Sequence, residues 1–162
     1  MVNRYFKLRT LCALLTFRLM VGFVVAGWSP YSILSTHPGK SLTELVPLTL
    51  AGALLIGAGV FGYLWCAWDF AIAGLSFGPP VIVETGIYGY LRHPMYFSLT
   101  LVLFGESLFF KSWRLLGYAS VCALLTHIFV LFYEEPQMVK RWGNAYLQYT
   151  ERVSRWIPRI RH

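Results

Sequence analysis

Four stretches of the chain, Leu11–Trp28, Leu45–Cys66, Pro94–Phe110 and Trp113–Tyr133, stay apolar over the length that a bilayer crossing needs, about 17–25 residues. In lipid a helix satisfies its own backbone hydrogen bonds, so each stretch is read as a transmembrane helix. Composition agrees. Hydrophobic residues make up 57% of the 162 and charged residues 13%, about half the charged share of a soluble domain. Disorder, a collagen-like repeat and a disulfide scaffold are excluded, and so is a soluble nucleic-acid binder despite the net charge of +7. The length fits a single membrane domain, 1–162. The three cysteines, Cys12, Cys66 and Cys122, are scattered with no CxxC pair, which suggests neither a zinc site nor a disulfide framework. The first span follows a basic start like that of a signal peptide. It is too long for one and lacks a small-x-small cleavage site, so it is read as a retained anchor.

The second span carries a rail of small residues, Gly52, Gly59 and Gly62, which predicts close helix packing. Lys111 and Ser112 alone separate the third and fourth spans, so these two must form a tight antiparallel hairpin. The longer connections, Ser29–Glu44 and Ala67–His93, are read as loops. Lys and Arg set the orientation. With four spans, both termini and the second connection share a side that holds Arg4, Lys7, Arg9, Arg92, Lys140, Arg141, Arg152, Arg155, Arg159 and Arg161. The other side holds Lys40, Lys111 and Arg114. Ten against three places both termini in the cytoplasm.

After Tyr133, Met138, Trp142, Tyr146, Tyr149, Val153 and Trp156 recur at helical spacing, with Lys140, Arg141, Arg152 and Arg155 off the stripe. This predicts one amphipathic helix, ended by Pro158, either lying in the membrane interface or packed on the cytosolic end of the bundle. The expected fold is therefore all-α: an integral membrane bundle of four transmembrane helices with a C-terminal amphipathic interfacial helix.

The groups able to do chemistry gather on the cytoplasmic side. Arg92 and His93 stand at the entrance of the third span, with Pro94 suited to its first turn. Backbone N–H groups there attract carboxylates or phosphates, although a plain helix cap with interfacial anchors explains the same residues. Glu134 and Glu135 close the fourth span. Adjacent acids there oppose the helix dipole and face an anionic leaflet, so they break local rules where function is expected. Pairing with nearby basic residues is the plainer alternative. Inside the spans, Arg18 and His127 share a depth of roughly 10 Å from the cytoplasmic end and are candidates for contact with a substrate. Glu106 is read as structural, paired with Lys111 or Arg114 across the hairpin.

The stretch Gly86-Ile87-Tyr88-Gly89-Tyr90-Leu91-Arg92-His93-Pro94-Met95-Tyr96 resembles the G-x-Y-x-x-x-R-H-P-x-Y signature of the isoprenylcysteine carboxyl methyltransferase and phospholipid methyltransferase superfamily. The helical hairpin then ends in Tyr133-Glu134-Glu135-Pro136, like the family's Glu-Glu pair. Trp142-Gly143, Tyr146, Tyr149, Val153, Arg155 and Pro158 are similar to the family's tail. The resemblance covers about residues 80–158 and implies an integral membrane methyltransferase that uses S-adenosyl-L-methionine under a C-terminal lid. By matched position it implies cofactor contacts at Pro80, Val81, Ile82, Val83, Tyr88, His93, Pro94, Met95, Tyr96 and Glu134. Arg92, Glu135 and His127 are the further residues expected at the reaction, and no metal is implied.

The residue types suit that cofactor: aromatic faces for a sulfonium, a carboxylate for an ammonium or ribose hydroxyl, and helix N–H groups or Arg92 for a carboxylate. Methyl transfer is a displacement governed by alignment in a dry site. The acceptor is expected to be lipid-embedded: a phospholipid amine, a prenylcysteine-like carboxylate or another small lipophilic group. Val130 stands where the isoprenylcysteine enzymes carry an Arg implicated in holding substrate, so the match is nearer the phospholipid branch. Two other readings are a non-catalytic membrane scaffold of the same fold and, through a similar R-H-P-x-Y motif in sterol reductases, an NADPH-dependent reductase. By resemblance the short chain points to a bacterial inner membrane more than to the endoplasmic reticulum. The sequence carries no signature of an oligomeric state.

Overall fold

The computed structural model describes residues 20, 22–36, 46–77, 82 and 84–157. Arg18, Pro80, Val81, Val83, Cys12, Lys40, Pro158, the basic N-terminal residues and Arg159 and Arg161 lie outside the described residues.

Among the described residues the regular elements are all helices, with a single isolated bridge between Leu91 and Ser154. A π turn, Val24–Trp28, leads into α1, Ser29–Thr36. The helix thus runs two turns into the expected first connection. Its hydroxyls explain this: Ser29, Ser32, Ser35 and Thr36 each donate back to a carbonyl three to five residues earlier, so polar side chains are satisfied within the helix.

α2, Val46–Phe77, is 32 residues long and continues past the expected end at Cys66. Ala67–Phe77 contains no proline, so nothing stops the helix before Gly78-Pro79-Pro80. Its segment Val46–Ile72 is apolar and long enough to cross a bilayer. Leu50, Leu54, Phe61, Leu64, Trp65 and Trp68 project outward and exposed, as lipid-facing residues would.

α3, Pro94–Phe109, packs along α2 more extensively than any other pair of elements in the fold. The glycine rail is the reason. A Cβ at Gly52 would meet the Phe109 backbone at 2.5 Å, and one at Gly59 would meet the Ser98 carbonyl at 2.6 Å. Gly105 answers from the other side, with the Gly52 carbonyl 2.9 Å from where its Cβ would stand. α3 has only 16 residues, about 24 Å of helix. It is therefore shorter than a straight crossing, and the described residues contain two helices long and apolar enough to span a membrane; most of the first expected span lies outside the described residues.

Phe110–Ser112 turn the chain into α4, Trp113–Phe129. This is the predicted tight hairpin. Ser112 donates its N–H to the Ser107 carbonyl at 3.0 Å, and its Oγ accepts from Leu115 at 3.4 Å. Lys111 takes the left-handed conformation, φ 52°. Glu106, expected to pair across this hairpin, keeps Oε2 buried without a hydrogen-bond partner. Tyr118 ties α4 to the first helical segment through the Val25 carbonyl at 3.0 Å.

α4 continues through a π turn, Val130–Glu134, into α5, Glu135–Trp142. Pro136 has no N–H to give and its ring crowds the preceding turn. The π turn just ahead of it widens the helix, with the Glu135 N–H reaching the Val130 carbonyl. The whole stretch Trp113–Trp142 is 30 residues, but its apolar part, Trp113–Tyr133, already covers about 31 Å. That matches a hydrocarbon core of about 30 Å and leaves Glu134 onward beyond it.

The amphipathic stripe after Tyr133 is not one helix. Gly143, at φ 54° and ψ −128°, breaks it in a region open only to glycine. α6, Asn144–Arg152, then folds back, and Val153 continues extended. The stripe faces the protein: Tyr146, Tyr149 and Val153 are buried, with Met138, Trp142 and Ile82 packed on them.

Candidate active site

Three segments distant in sequence meet at the C-terminal ends of α2 and α4 and the N-terminal end of α3. The first is the signature loop. Gly86, at φ 61°, opens a 3-10 turn, Gly86–Gly89. A side chain there would collide with the carboxylate of Asp69, whose Oδ2 accepts from the Ile87 N–H at 3.0 Å. Asp69 was placed by the sequence in a loop; on the extended α2 it becomes the post that holds this turn. Leu91 and Arg92 follow, and His93 is the N-terminal flanking residue of α3 with Pro94 in its first turn. Pro94 is fully buried, so its ring sets the helix start from within the packing.

The second segment is the Glu pair on either side of the π turn's end. The third is the chain after α6, which catches the other two at consecutive positions. The Ser154 carbonyl accepts from the Arg92 N–H at 2.9 Å. Arg155 grips Glu135 with both arms, Nε to Oε1 at 2.8 Å and an Nη to Oε2 at 2.6 Å. Trp156 donates its indole N–H to His127 Nδ1 at 3.0 Å. One helix earlier, Tyr149 donates its hydroxyl to the Tyr88 carbonyl at 2.7 Å.

This arrangement gives the two acids different work. Glu135 is consumed: besides Arg155 it accepts from Arg92 Nη1 at 2.8 Å, and His93 Nε2 stands 3.5 Å away. Burial raises its pKa, but the His93 and Arg155 contacts and the Arg92 and Arg155 charges outweigh it and hold the carboxyl at about 2. Glu135 in turn raises the pKa of Arg155. Glu134 differs. Its Oε2 is buried without a hydrogen-bond partner, 3.9 Å from His93 Nδ1. Arg92 Nε and His93 Nε2 are likewise buried without one. Orphaned buried polar atoms are costly and mark places where a ligand completes the bonding.

Aromatic rings enclose the histidine. His93 lies between Tyr96, stacked at 6.0 Å, and Trp156 at 5.9 Å; Trp156 is also 5.9 Å from His127. His127 thus joins the site through Trp156. With Nδ1 accepting, the neutral ring carries its proton on Nε2, so toward a ligand it is a donor. Burial raises the pKa of Tyr146 and Tyr149, keeping both phenols neutral under the tail.

A cavity of about 570 Å³ opens along the outer side of this cluster, lined by Tyr96, Phe129, Tyr133, Glu134, Gln137 and Met138, with Lys140, Arg141 and Trp142 at one end. It lies within the size range of small-molecule sites, about 300–1,000 Å³.

A family model for phospholipid methyltransferases matches residues 48–145, more than half of the chain. The chain belongs to the phospholipid methyltransferase family. The match runs from the first turn of α2 to the start of α6 and contains Tyr88, Arg92, His93, Tyr96, His127, Glu134 and Glu135. No curated protein matches the chain. With two helices able to cross a bilayer, this family member is a membrane protein of the methyltransferase class.

Of the residues expected from sequence, Arg92, His93, Tyr96, Glu134 and Glu135 come together directly. His127 and Tyr88 are reached through Trp156 and Tyr149. Ile82 packs under the tail, and Met95 follows Pro94 in the first turn of α3, half-buried. From sequence Trp156 is a stripe residue, and Arg155 is a tail-pattern residue off the stripe, with pairing of the Glu pair to nearby basic residues as the plainer alternative. The signal for both was present: an arginine beside the last aromatic of the stripe.

Proposed function

We propose that the chain transfers a methyl group from S-adenosyl-L-methionine to an acceptor embedded in the membrane, at the cytoplasmic face. In this reading it is one domain, 1–162, whose cofactor part is about 80–158. It crosses the bilayer four times, with spans near 11–28, 46–72, 94–109 and 113–133, and both termini lie inside. The observation that carries the reading is the buried, unpartnered Glu134 Oε2 beside His93 and Tyr96, on a groove of small-molecule size.

The residues fit the cofactor. Glu134 accepts from its ammonium or a ribose hydroxyl, and Arg92 Nε donates to its carboxylate. The faces of Tyr96 and Tyr88 stabilise positive charge. Met95, Pro94 and the segment Pro80, Val81, Ile82 and Val83 supply apolar wall. Bound S-adenosyl-L-methionine supplies an electrophilic methyl carbon on a cationic sulfur. The protein's part is alignment and exclusion of water, which can supply several kcal/mol of a displacement barrier, of order 7–11 in well-aligned cases. An amine acceptor that arrives as its ammonium would first have to release a proton to water at the open groove, freeing the lone pair that would take the methyl while the carbon–sulfur electron pair would stay with sulfur. Glu135, clamped by Arg92 and Arg155, holds the tail closed over the site. His127 Nε2–H orients the acceptor.

Val130 is fully buried in the helix packing. No cation stands at that position to hold a carboxylate substrate, which favours an amine acceptor. Purified protein incubated with labelled S-adenosyl-L-methionine and a lipid extract should yield labelled lipid, identified by mass spectrometry. Failure to bind S-adenosylhomocysteine, with no labelled product, would remove the reading and favour a scaffold.

A further inference from the structure

His127 is the polar group of the site that lies deepest in a proposed span. It stands seven residues before Glu134, about 10 Å along the helix on the membrane side of it. An acceptor arriving from the bilayer therefore meets His127 before Glu134. An imidazole serves such an acceptor only when its ring is fixed. The outer torsion of histidine is broad and roughly two-fold, and its two nitrogens exchange the roles of donor and acceptor with the tautomer. Left alone, the ring would offer an N–H in one state and a bare nitrogen or a carbon edge in the others.

Trp156 settles both choices. Its indole N–H donates to His127 Nδ1 at 3.0 Å. An indole nitrogen is a donor only, so Nδ1 is the bare nitrogen and Nε2 carries the proton of the neutral ring. The same bond selects one ring orientation, the one that turns Nδ1 to the indole. The indole is itself held in place. The Ser154 carbonyl accepts from the Arg92 N–H, and Arg155 is anchored on Glu135 by both arms. The Trp156 ring lies 5.9 Å from the His93 ring and 5.9 Å from the His127 ring. His93 flanks the buried, unpartnered Glu134 Oε2. One indole thus stands between the histidine beside the cofactor carboxylate and the histidine on the acceptor side. Among the described residues His127 Nε2 makes no hydrogen bond, so its fixed N–H is left for a ligand.

We propose that Trp156 is a positioning residue for methyl transfer. Its N–H locks the ring and tautomer of His127 so that Nε2–H points to an oxygen of the acceptor, and it acts through that N–H rather than through its bulk. This rests on the methyl-transfer reading and adds the residue through which the tail sets the acceptor side of the site.

Trp156→Phe keeps a ring between the two histidines and removes only the donor, and it is compared with His127→Phe and with the double variant. In detergent-purified protein with isotope-labelled histidine and tryptophan, wild-type NMR spectra should show the Trp156 indole N–H shifted downfield and slow to exchange. His127 should be a single species protonated at Nε2. His127→Phe should abolish the indole shift, and Trp156→Phe should leave His127 averaging between states. Turnover is read with labelled S-adenosyl-L-methionine saturating and the lipid extract varied. Trp156→Phe should lower kcat/KM for the extract about tenfold, the order of one hydrogen bond, while S-adenosylhomocysteine binds within about twofold of wild type. His127→Phe should fall at least as far, and the double variant no further than His127→Phe, because the pair acts as a unit. A wild-type His127 protonated at Nδ1 would overturn the proposal, whether or not the variants fold. So would wild-type turnover in Trp156→Phe, a loss of S-adenosylhomocysteine affinity as large as the loss of turnover, or a double variant worse than His127→Phe alone. Wild type that neither binds S-adenosylhomocysteine nor labels lipid removes the methyl-transfer reading and this proposal with it; transfer that survives Trp156→Phe unchanged removes this proposal alone.

Discussion

At the scale of single residues, the two adjacent acids look alike in sequence and are opposites in the structure. Both Glu135 oxygens are occupied by Arg92 and Arg155, whereas Glu134 keeps one buried oxygen free. Removing Glu135 strands two guanidiniums; removing the charge of Glu134 strands nothing. Glu134→Gln should therefore weaken S-adenosylhomocysteine binding about tenfold or more with the thermal midpoint hardly changed. Glu135→Ala should lower the midpoint and open the tail to proteolysis between Val153 and Ile157. Titration calorimetry and limited proteolysis separate the two, and identical behaviour of the variants would refute the division. The pH dependence of the clasp follows in sign. Glu135 is depressed from 4.5 to about 2, so its contribution is complete above the ordinary value and drains as pH falls from about 4.5 toward 2. Arg92, Arg155 and His93 face it, with Glu134 and Tyr146 nearby. Hydrogen exchange of residues 153–157, corrected for intrinsic rate, should hold its protection down to about pH 4.5 and then lose it. A loss already between pH 7 and 5 would refute the assignment of the clasp to Glu135.

At the scale of elements, small residues and breakers decided the outcome. The glycine rail was legible because close approach in a membrane demands it, and Gly52, Gly59 and Gly105 meet backbone directly. Gly57, off the rail, has nothing within 4 Å of its Cβ position. Gly59→Leu should therefore separate α2 from α3 and lower the unfolding midpoint in detergent by several degrees, while Gly57→Ala is neutral or slightly stabilising. A Gly59→Leu protein as stable as wild type would show that the α2–α3 contact is not what holds the bundle. The helix ends were less legible. α2 overran its expected stop because span length, not a breaker, had been used to end it. The tail stripe was read as one helix because its spacing stays helical across Gly143. Periodicity records which side faces the core, and the two short helices share that side although the axis turns between them. The fourth span was ended at Tyr133, where the apolar run stops; the π turn instead carries the helix on past Pro136, with Glu134 as its last residue and Glu135 as the first of α5.

At the scale of the molecule, the motif residues were visible from sequence because chemistry fixes their types. The way they meet was not, since residues 154–156 reach three different segments through contacts that no local pattern encodes. The membrane itself follows from the distribution of charge and length. Lys140 and Arg141 stand beyond the polar end of the α4–α5 helix, and Lys111 sits at the hairpin on the opposite side, flanked by exposed Phe109, Phe110 and Trp113. Under the proposed four-span arrangement the ten-to-three bias in Lys and Arg predicts that the active-site end faces the cytoplasm. α3, about 24 Å long, does not reach across a core of about 30 Å, so the hairpin sits low in its leaflet or the bilayer thins around it. Single cysteines at Lys111 and Lys140, in a background without the natural cysteines, should then react with a membrane-impermeant maleimide from opposite sides. In right-side-out vesicles Lys111→Cys should label first, though slowly because of its depth, and Lys140→Cys only after permeabilisation. The reverse order would invert the topology and move the proposed methyl transfer to the outer face, where the cofactor is not supplied. Labelling of both from one side would mean that the hairpin does not cross, leaving α3 as a helix buried in one leaflet.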